Sequence, residues 1–379
     1  MRRPGLCAGT SKGESHVGIE SRLEELRSRL VVEGVDAIAL TSVPNVAYCT
    51  AFDGVFDAEP AHIALVTGKT AVLITDSRYL EALITAAEGS AWRVVIARAT
   101  LAETLADELA TVGARSVALE TSLPYSRFRS FESALSISVV ECDGWVEQLR
   151  QVKDADEIAR IDAAQQITDA AFTHLVDGVL KAGASEREVA LELEFFMRQA
   201  GSEGVAFDPI VASGPNSAKP HATPGGRLLA EGDFVVLDFG ARVGGYCADM
   251  TRTVVIGRTS DRHREIYDSV LAANAAGAAA VRPGRRGSEI DSVARAVISE
   301  RGFGENFGHG LGHGVGLEIH ELPGVGPRSE PEIPLGAVIT IEPGIYVPGF
   351  GGVRIEDLVV VGEAGAQLLT RSTKDLLEL

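Results

Sequence analysis

Two periods of apolar residues alternate along the first half of the chain, and each predicts its own kind of element. Residues 20–33 place Leu23, Leu26, Leu30 and Val31 on a helical stripe that Gly34 closes. Short apolar runs at Ala37–Leu40, Ile63–Thr67, Ala71–Thr75, 93–96, 117–120 and 138–141 read as strands. Helical patterns at 77–87, Leu101–Thr111 and 125–135 lie between several of them. This alternation predicts an α/β domain ending near Cys142.

The second half is patterned differently. Asp154 with Glu157 three positions on forms a capping box, and Ile158, Ile161, Ile167, Ala171, Phe172 and Leu175 then keep a helical period. Ser185 with Glu188 repeats the device before a helix over 189–200 that Gly201 stops, and Ser288 with Asp291 starts another that Gly302 closes. Strands are expected at Phe234–Phe239, 250–256, 337–341 and 353–361. Helices followed by antiparallel-looking strands predict α+β here. With 379 residues, one ordinary core does not suffice. The expected division is a disordered extension over 1–16, an α/β domain over 17–145 and an α+β domain over 146–379.

Composition narrows the partners. Hydrophobic residues make up 45% and charged residues 23%, a globular profile. A net charge of −18 argues against nucleic acid, whose phosphates need clustered Lys and Arg. No apolar stretch is long enough for a membrane helix, and none follows Arg2-Arg3 as a secretory signal requires. Cys7, Cys49, Cys142 and Cys247 are scattered, with neither zinc-ribbon nor disulfide-framework spacing. The expected compartment is the cytoplasm.

Candidate chemistry concentrates after residue 230. Asp238 and Asp249 lie on two strands joined by Arg242-Val-Gly-Gly245. A hairpin symmetric about Val243-Gly244 makes them directly opposed, with Cβ atoms roughly 5 Å apart. Either Asp alone could cap a turn; two in one register repel unless a proton or a cation lies between them. Glu342 ends one apolar strand and Glu356 lies inside another, with Arg354 two positions before it. That pair alone could be a structural Arg354–Glu356 ion pair, since a buried Glu must be paired or metal-bound.

The histidines tip the balance towards a site. In His309-Gly-Leu-Gly-His313-Gly-Val-Gly316, an extended chain puts His309, Leu311, His313 and Val315 on one face. The other face is bare glycine, which lets another backbone approach closely. The glycine spacing is not that of a phosphate loop. His320 follows closely. Four carboxylates and an imidazole form a mostly hard ligand set that suits Mn²⁺, Co²⁺, Fe²⁺ or Zn²⁺. That many carboxylates imply two ions, which would lower the pKa of a shared water and clamp a tetrahedral intermediate.

These blocks resemble the ordered motifs of the M24 metallopeptidases, the family of aminopeptidase P, prolidase and methionine aminopeptidase. They are Asp238-Phe-Gly, Asp249-Met-Thr-Arg-Thr, His309-Gly-Leu-Gly-His313-Gly-Val-Gly, Glu342-Pro-Gly and Arg354-Ile-Glu356-Asp. The resemblance runs from about Asp154 to Val361. It implies an α+β pita-bread (creatinase/aminopeptidase-like) catalytic domain behind a smaller α/β domain. It further implies two divalent metal ions, manganese first among them, held by Asp238, Asp249, His313, Glu342 and Glu356. Glu342 would double as the base that takes the water proton. His221, in Ser213-Gly-Pro-Asn-Ser-Ala-Lys-Pro-His221, and His320 would contact the scissile carbonyl, while His309 and Arg354 would shape the substrate pocket. Methionine aminopeptidases usually lack the N-terminal domain, and creatinase lacks the metal ligands. Shorter microbial prolidases tend to carry an Arg soon after the His-Glu pair, whereas here none comes before Arg328. The expected activity is therefore a Xaa-Pro aminopeptidase acting on proline-containing peptides. A strict Xaa-Pro dipeptidase and a catalytically dead peptide-binding protein are the alternatives. The resemblance also implies a homodimer.

Overall fold

A computed structural model describes residues 12–379, so most of the expected extension over 1–16 lies outside the described residues. Two compact units divide at Leu149/Arg150.

In the first unit, helix α1 (Lys12–Glu33) buries Leu23, Leu26 and Leu30, as the periodicity predicts. Val31 does not belong to that stripe: it is 82% exposed, one residue past the buried face. Elements β1 (Ala37–Leu40), α2 (Val43–Thr50), β2 (Ile63–Thr67), β3 (Ala71–Thr75), α3 (Leu80–Ala87) and β4 (Trp92–Ile96) follow. Then come α4 (Leu101–Thr111), β5 (Ser116–Glu120), α5 (Tyr125–Ala134), β6 (Ser138–Cys142) and α6 (Trp145–Arg150). The six strands form one mixed sheet in the order β4-β3-β2-β1-β5-β6. Each of β1, β2 and β3 is buried at every position, so its apolar run is continuous rather than alternating. Helix α2, short and with Pro44 in its first turn, escapes the periodicity altogether.

The second unit opens with α7 (Ala155–His174), whose capping box forms as expected: Asp154 accepts from the Glu157 N–H and Glu157 from the Asp154 N–H. Helix α8 (Glu186–Gln199) carries the Ser185/Glu188 box. Strands β7 (Gly204–Val205), β8 (Ile210–Ser213), β9 (Phe234–Phe239), β10 (Ala241–Val243), β11 (Tyr246–Cys247) and β12 (Met250–Val255) come next. Helix α9 (Asp261–Ala280) has no strong apolar stripe in its Ala-rich sequence and is not anticipated, yet it runs through the core. Helix α10 (Gly287–Glu300) starts one residue before the expected cap. Glu289 accepts from the Arg286 N–H, whereas Asp291 is buried and pairs with Arg295.

Strands β13 (Gly312–Gly314), β14 (Glu321–Val325), β15 (Val338–Ile341), β16 (Gly344–Val347), β17 (Gly351–Arg354), β18 (Asp357–Gly362) and β19 (Gly365–Leu368) complete the unit. All its ladders are antiparallel, in sheets β12-β9-β8, β11-β10-β7, β14-β13-β15-β18-β19 and β16-β17. The single strand expected over 353–361 is in fact two, β17 and β18, which belong to different sheets and break at Ile355-Glu356. Among the described residues no helix is long and apolar enough to cross a membrane.

The corrected face of α1 gives a direct test. Leu26→Ala should destabilise the protein by about 2–5 kcal/mol, while Val31→Ala should stay within about 0.5 kcal/mol, read as urea midpoints.

Candidate metal centre

The site is built where strand ladders end. In the β9–β12 ladder Asp238 faces Thr251, not Asp249. The turn is centred on Gly244-Gly245, with Val243 opposite Tyr246, so the register lies two residues from the one expected. A shift of two preserves the face, which leaves Asp249 a diagonal neighbour of Asp238 on the same side. The ladder is interrupted at Gly240, where a Cβ would lie 1.8 Å from the Ala248 carbonyl oxygen. Asp249 sits beside that interruption, immediately before β12.

The glutamates follow the same rule. Ile341, the last residue of β15, pairs with Asp357, the first of β18. Glu342 and Glu356 are therefore each the first residue past the ladder and continue its register across an open end. Between the two ladders, the Thr251 hydroxyl donates to Glu356 Oε2 at 2.7 Å, and the Glu356 N–H donates to the Thr251 carbonyl at 3.1 Å. Thr251 thus joins the Asp pair to the Glu pair.

His313 comes from β13, squeezed between β14 and β15. A Cβ on Gly312 would sit 2.0 Å from the Thr340 carbonyl oxygen, and one on Gly314 2.3 Å from that of Leu322. The bare glycine face therefore serves close backbone approach, as the sequence indicates. The single extended face does not hold, because the register shifts between Gly312 and Gly314. Leu311 and Val315 are buried in the core, while His309 and His313 line a cavity.

That cavity, about 550 Å³, brings together every side chain singled out above: Asp238, Asp249, His313, Glu342 and Glu356, with His221, His309, His320 and Arg354. Ligand atoms of Asp249, His313 and Glu356 lie within 4.8 Å of one another. His313 Nδ1 is 3.1 Å from the Gly314 carbonyl, which can only accept, so Nδ1 carries the proton. Burial, helped by His320, lowers the ring's pKa to about 4 and keeps it neutral. Its Nε2 lone pair consequently faces Glu342 Oε1 at 3.3 Å and Asp249 Oδ2 at 3.6 Å.

Lone pairs and carboxylates aimed at one point need positive charge between them. Asp238 Oδ1, Asp249 Oδ1 and Glu356 Oε1 are buried without any hydrogen-bond partner, although buried acceptors are normally satisfied. Burial pushes the Glu342 carboxyl up to about 8. Asp249 and Glu356 are raised well above the carboxylate range by burial and then by neighbouring carboxylates. The donor set thus fits divalent cations: hard oxygens, one neutral imidazole and orphaned ligand atoms.

Arg354 is not the partner of Glu356. Its Nη2 donates to Asp238 Oδ2 at 2.5 Å, its Nε to Thr251 Oγ1 at 3.0 Å and its Nη1 to Tyr346 Oη at 2.8 Å. Tyr346 in turn reaches His309 Nε2 at 2.9 Å. Since His309 Nδ1 donates to the Gly310 carbonyl, Tyr346 is the donor in that contact. Sequence pattern alone does not single out Thr251 or Tyr346. Thr251 stands inside the Asp249-Met-Thr-Arg-Thr block, but nothing in its type marks it, and Tyr346 gains its role only because β16 folds back over the site. His320 is exposed, its ring edge-to-face with His313 at 4.3 Å between centroids, and His221 follows the short turn Gly214–Ala218.

Comparison with known proteins agrees with this geometry. The model of metallopeptidase family M24 matches residues 159–363, and that of the creatinase/prolidase N-terminal domain matches 22–152. The uncharacterized peptidase YqhT of Bacillus subtilis is 41% identical over 94% of this chain and 100% of its own length. A Xaa-Pro dipeptidase from Bacillus anthracis superposes with a TM-score of 0.90 at 40% identity, covering 95% of this chain and 100% of that one. An X-Pro aminopeptidase from Thermotoga maritima gives 0.84 at 38%, covering 93% and 100%.

The raised carboxyls carry a sign. Glu342 has a higher pKa folded, about 8, than its ordinary 4.5, so its contribution to stability is complete below 4.5 and lost as pH rises through 8. Metal-free protein should therefore melt at progressively lower temperature between those pH values. Added divalent cation should raise the melting temperature more at the alkaline end. A flat profile in differential scanning fluorimetry would contradict this electrostatic reading.

Proposed function

Since the chain belongs to metallopeptidase family M24, and is thus a hydrolase with a creatinase/prolidase N-terminal domain before a pita-bread catalytic domain, we propose that it is a Xaa-Pro aminopeptidase. It removes the N-terminal residue of a peptide whose next residue is proline. The observation that carries this reading is the buried carboxylate cluster, with three orphaned oxygens, lining one cavity with three histidines beyond the ligand set.

Asp238, Asp249, His313, Glu342 and Glu356 would hold two divalent cations, with manganese the first to try for so hard a ligand set. When bound, such a pair supplies an acidified water and electrostatic stabilisation of an oxyanion. Glu342, half-buried beside the His313 ring, is placed to accept the water's proton. His221 and His320, both exposed to the cavity, can donate to the carbonyl oxygen as charge develops on it. Arg354 acts by orienting Asp238 and Thr251, because each of its three nitrogens already donates to a protein acceptor.

The same fact bears on chain length. Among the described residues Arg354 is the one Arg or Lys lining the cavity, so none of them offers a free cation there to neutralise a dipeptide's terminal carboxylate. Longer peptides suit such a cavity. A strict dipeptidase is the second reading, favoured by the likeness to the enzyme named Xaa-Pro dipeptidase. The thiols of Cys142 and Cys247, neither of them in a disulfide, suit a reducing compartment such as the cytoplasm.

A cleavage panel of Ala-Pro, Ala-Pro-Ala and Met-Ala-Ala with Mn²⁺, Co²⁺ or Zn²⁺ separates these readings. The tripeptide with proline second should be cut; turnover of Ala-Pro alone selects the dipeptidase, and turnover of Met-Ala-Ala alone rejects both. Glu342→Gln should lower kcat by about 10²- to 10⁴-fold with the fold retained by circular dichroism. Full activity in that variant would refute the assignment of Glu342.

A further inference from the structure

Outside the residues that line the cavity lies a second set of buried polar groups that the chemistry above does not use. Asn274, at 0% exposure on α9, donates through Nδ2 to the carbonyls of Ile341 at 2.9 Å and Ile355 at 3.2 Å. These are the residues immediately before Glu342 and Glu356. One carboxamide therefore clasps the main chain of both ligand-bearing segments at the point where their ladder has ended.

The carboxamide is itself oriented from the C-terminal segment. Lys374 Nζ donates to Asn274 Oδ1 at 3.0 Å and to Asp357 Oδ2 at 2.6 Å. Asp357 Oδ1 accepts from Arg252 Nη2 at 2.9 Å. Arg252, 1% exposed, also donates to the carbonyls of Glu356 and Thr251, and to those of Ser372 and Thr373. The network thus runs from residues 372–374 to the backbone of Glu356 and, through Asn274, to the peptide bonds preceding both glutamates.

We propose that Asn274, held by Lys374, is a positioning residue that sets the spacing of Glu342 and Glu356 and so the affinity of the centre for its cations. The inference rests on the metal-binding reading of those glutamates. Asn274 touches neither substrate nor ligand side chain; it acts through the two carbonyls. A carboxylate in its place keeps the shape and the Lys374 contact but has no hydrogen to give either carbonyl. Loss of the Lys374 ammonium leaves the carboxamide free to turn its oxygen towards the carbonyls.

Titration of the metal-free protein with Co²⁺, followed by visible absorption and calorimetry, tests this. Asn274→Asp and Lys374→Met should each weaken Co²⁺ binding about 10- to 100-fold, the usual cost of losing a group that orients ligands. Lys374→Arg should stay close to wild type. Activity of the two weakened variants should recover as Co²⁺ is raised, which a general loss of folded protein would not allow. If Asn274→Asp fails to fold, Lys374→Met decides alone. Wild-type affinity in both variants, with only the melting temperature lowered, overturns the inference. Wild-type protein that takes up no Co²⁺ overturns the metal reading, and the inference with it.

Discussion

Four carboxylates share one buried cleft, and much of the catalytic unit is arranged around the cost of keeping them there. Charged oxygens stripped of water and packed together repel strongly unless protons or cations intervene. The structure meets that demand from two sides. On one, Arg354 and Thr251 take one oxygen each of Asp238 and Glu356. On the other, the remaining oxygens of Asp238, Asp249 and Glu356 are left bare and directed into the cluster. Half-satisfied carboxylates of this kind are a poor way to stabilise a fold and an apt way to bind a cation.

Strand geometry explains how so unfavourable a grouping is built at all. A side chain within a ladder is held by its neighbours, but its backbone is committed to the sheet. Glu342 and Glu356 stand one step beyond the last pair of β15 and β18, and Asp249 stands at an interruption opposite Gly240. Each keeps the direction that the sheet imposes while its main chain is free to serve other contacts. Glycine makes the interruptions possible, since a methyl group at Gly240 or Gly312 would collide with a carbonyl oxygen.

Much of this is legible in the amino-acid sequence, and the failures have physical reasons. The cores of both units follow from apolar periodicity and capping boxes, because those are local properties. Asp238, Asp249, His313, Glu342 and Glu356 stand out because residues of their chemistry are rare in apolar strands. The hairpin register departs from the symmetric expectation because two successive glycines permit the turn to shift its centre by one residue, and pairing then shifts by two. The break between β17 and β18 leaves no mark in the sequence because residues on both sides are equally apolar; only tertiary pairing with two different sheets divides them. Helix α9 is hidden in the sequence for the opposite reason. Its buried face includes Ser269, Asn274 and Gly277, residues that signal no core although their neighbours make them part of one.

Arg252 has a consequence for the order in which the unit can be completed. Its side chain is almost wholly enclosed, and two of its acceptors, the carbonyls of Ser372 and Thr373, lie 120 and 121 residues further along the chain. Until that late segment arrives, the guanidinium has no full set of acceptors, and a buried cation so placed is costly. The same segment then continues as a short pairing with β12, where Val255 exchanges hydrogen bonds with Leu377 and Leu379. During synthesis, strand β12 can therefore emerge early yet reach its final packing only when residues 372–379 have left the ribosome.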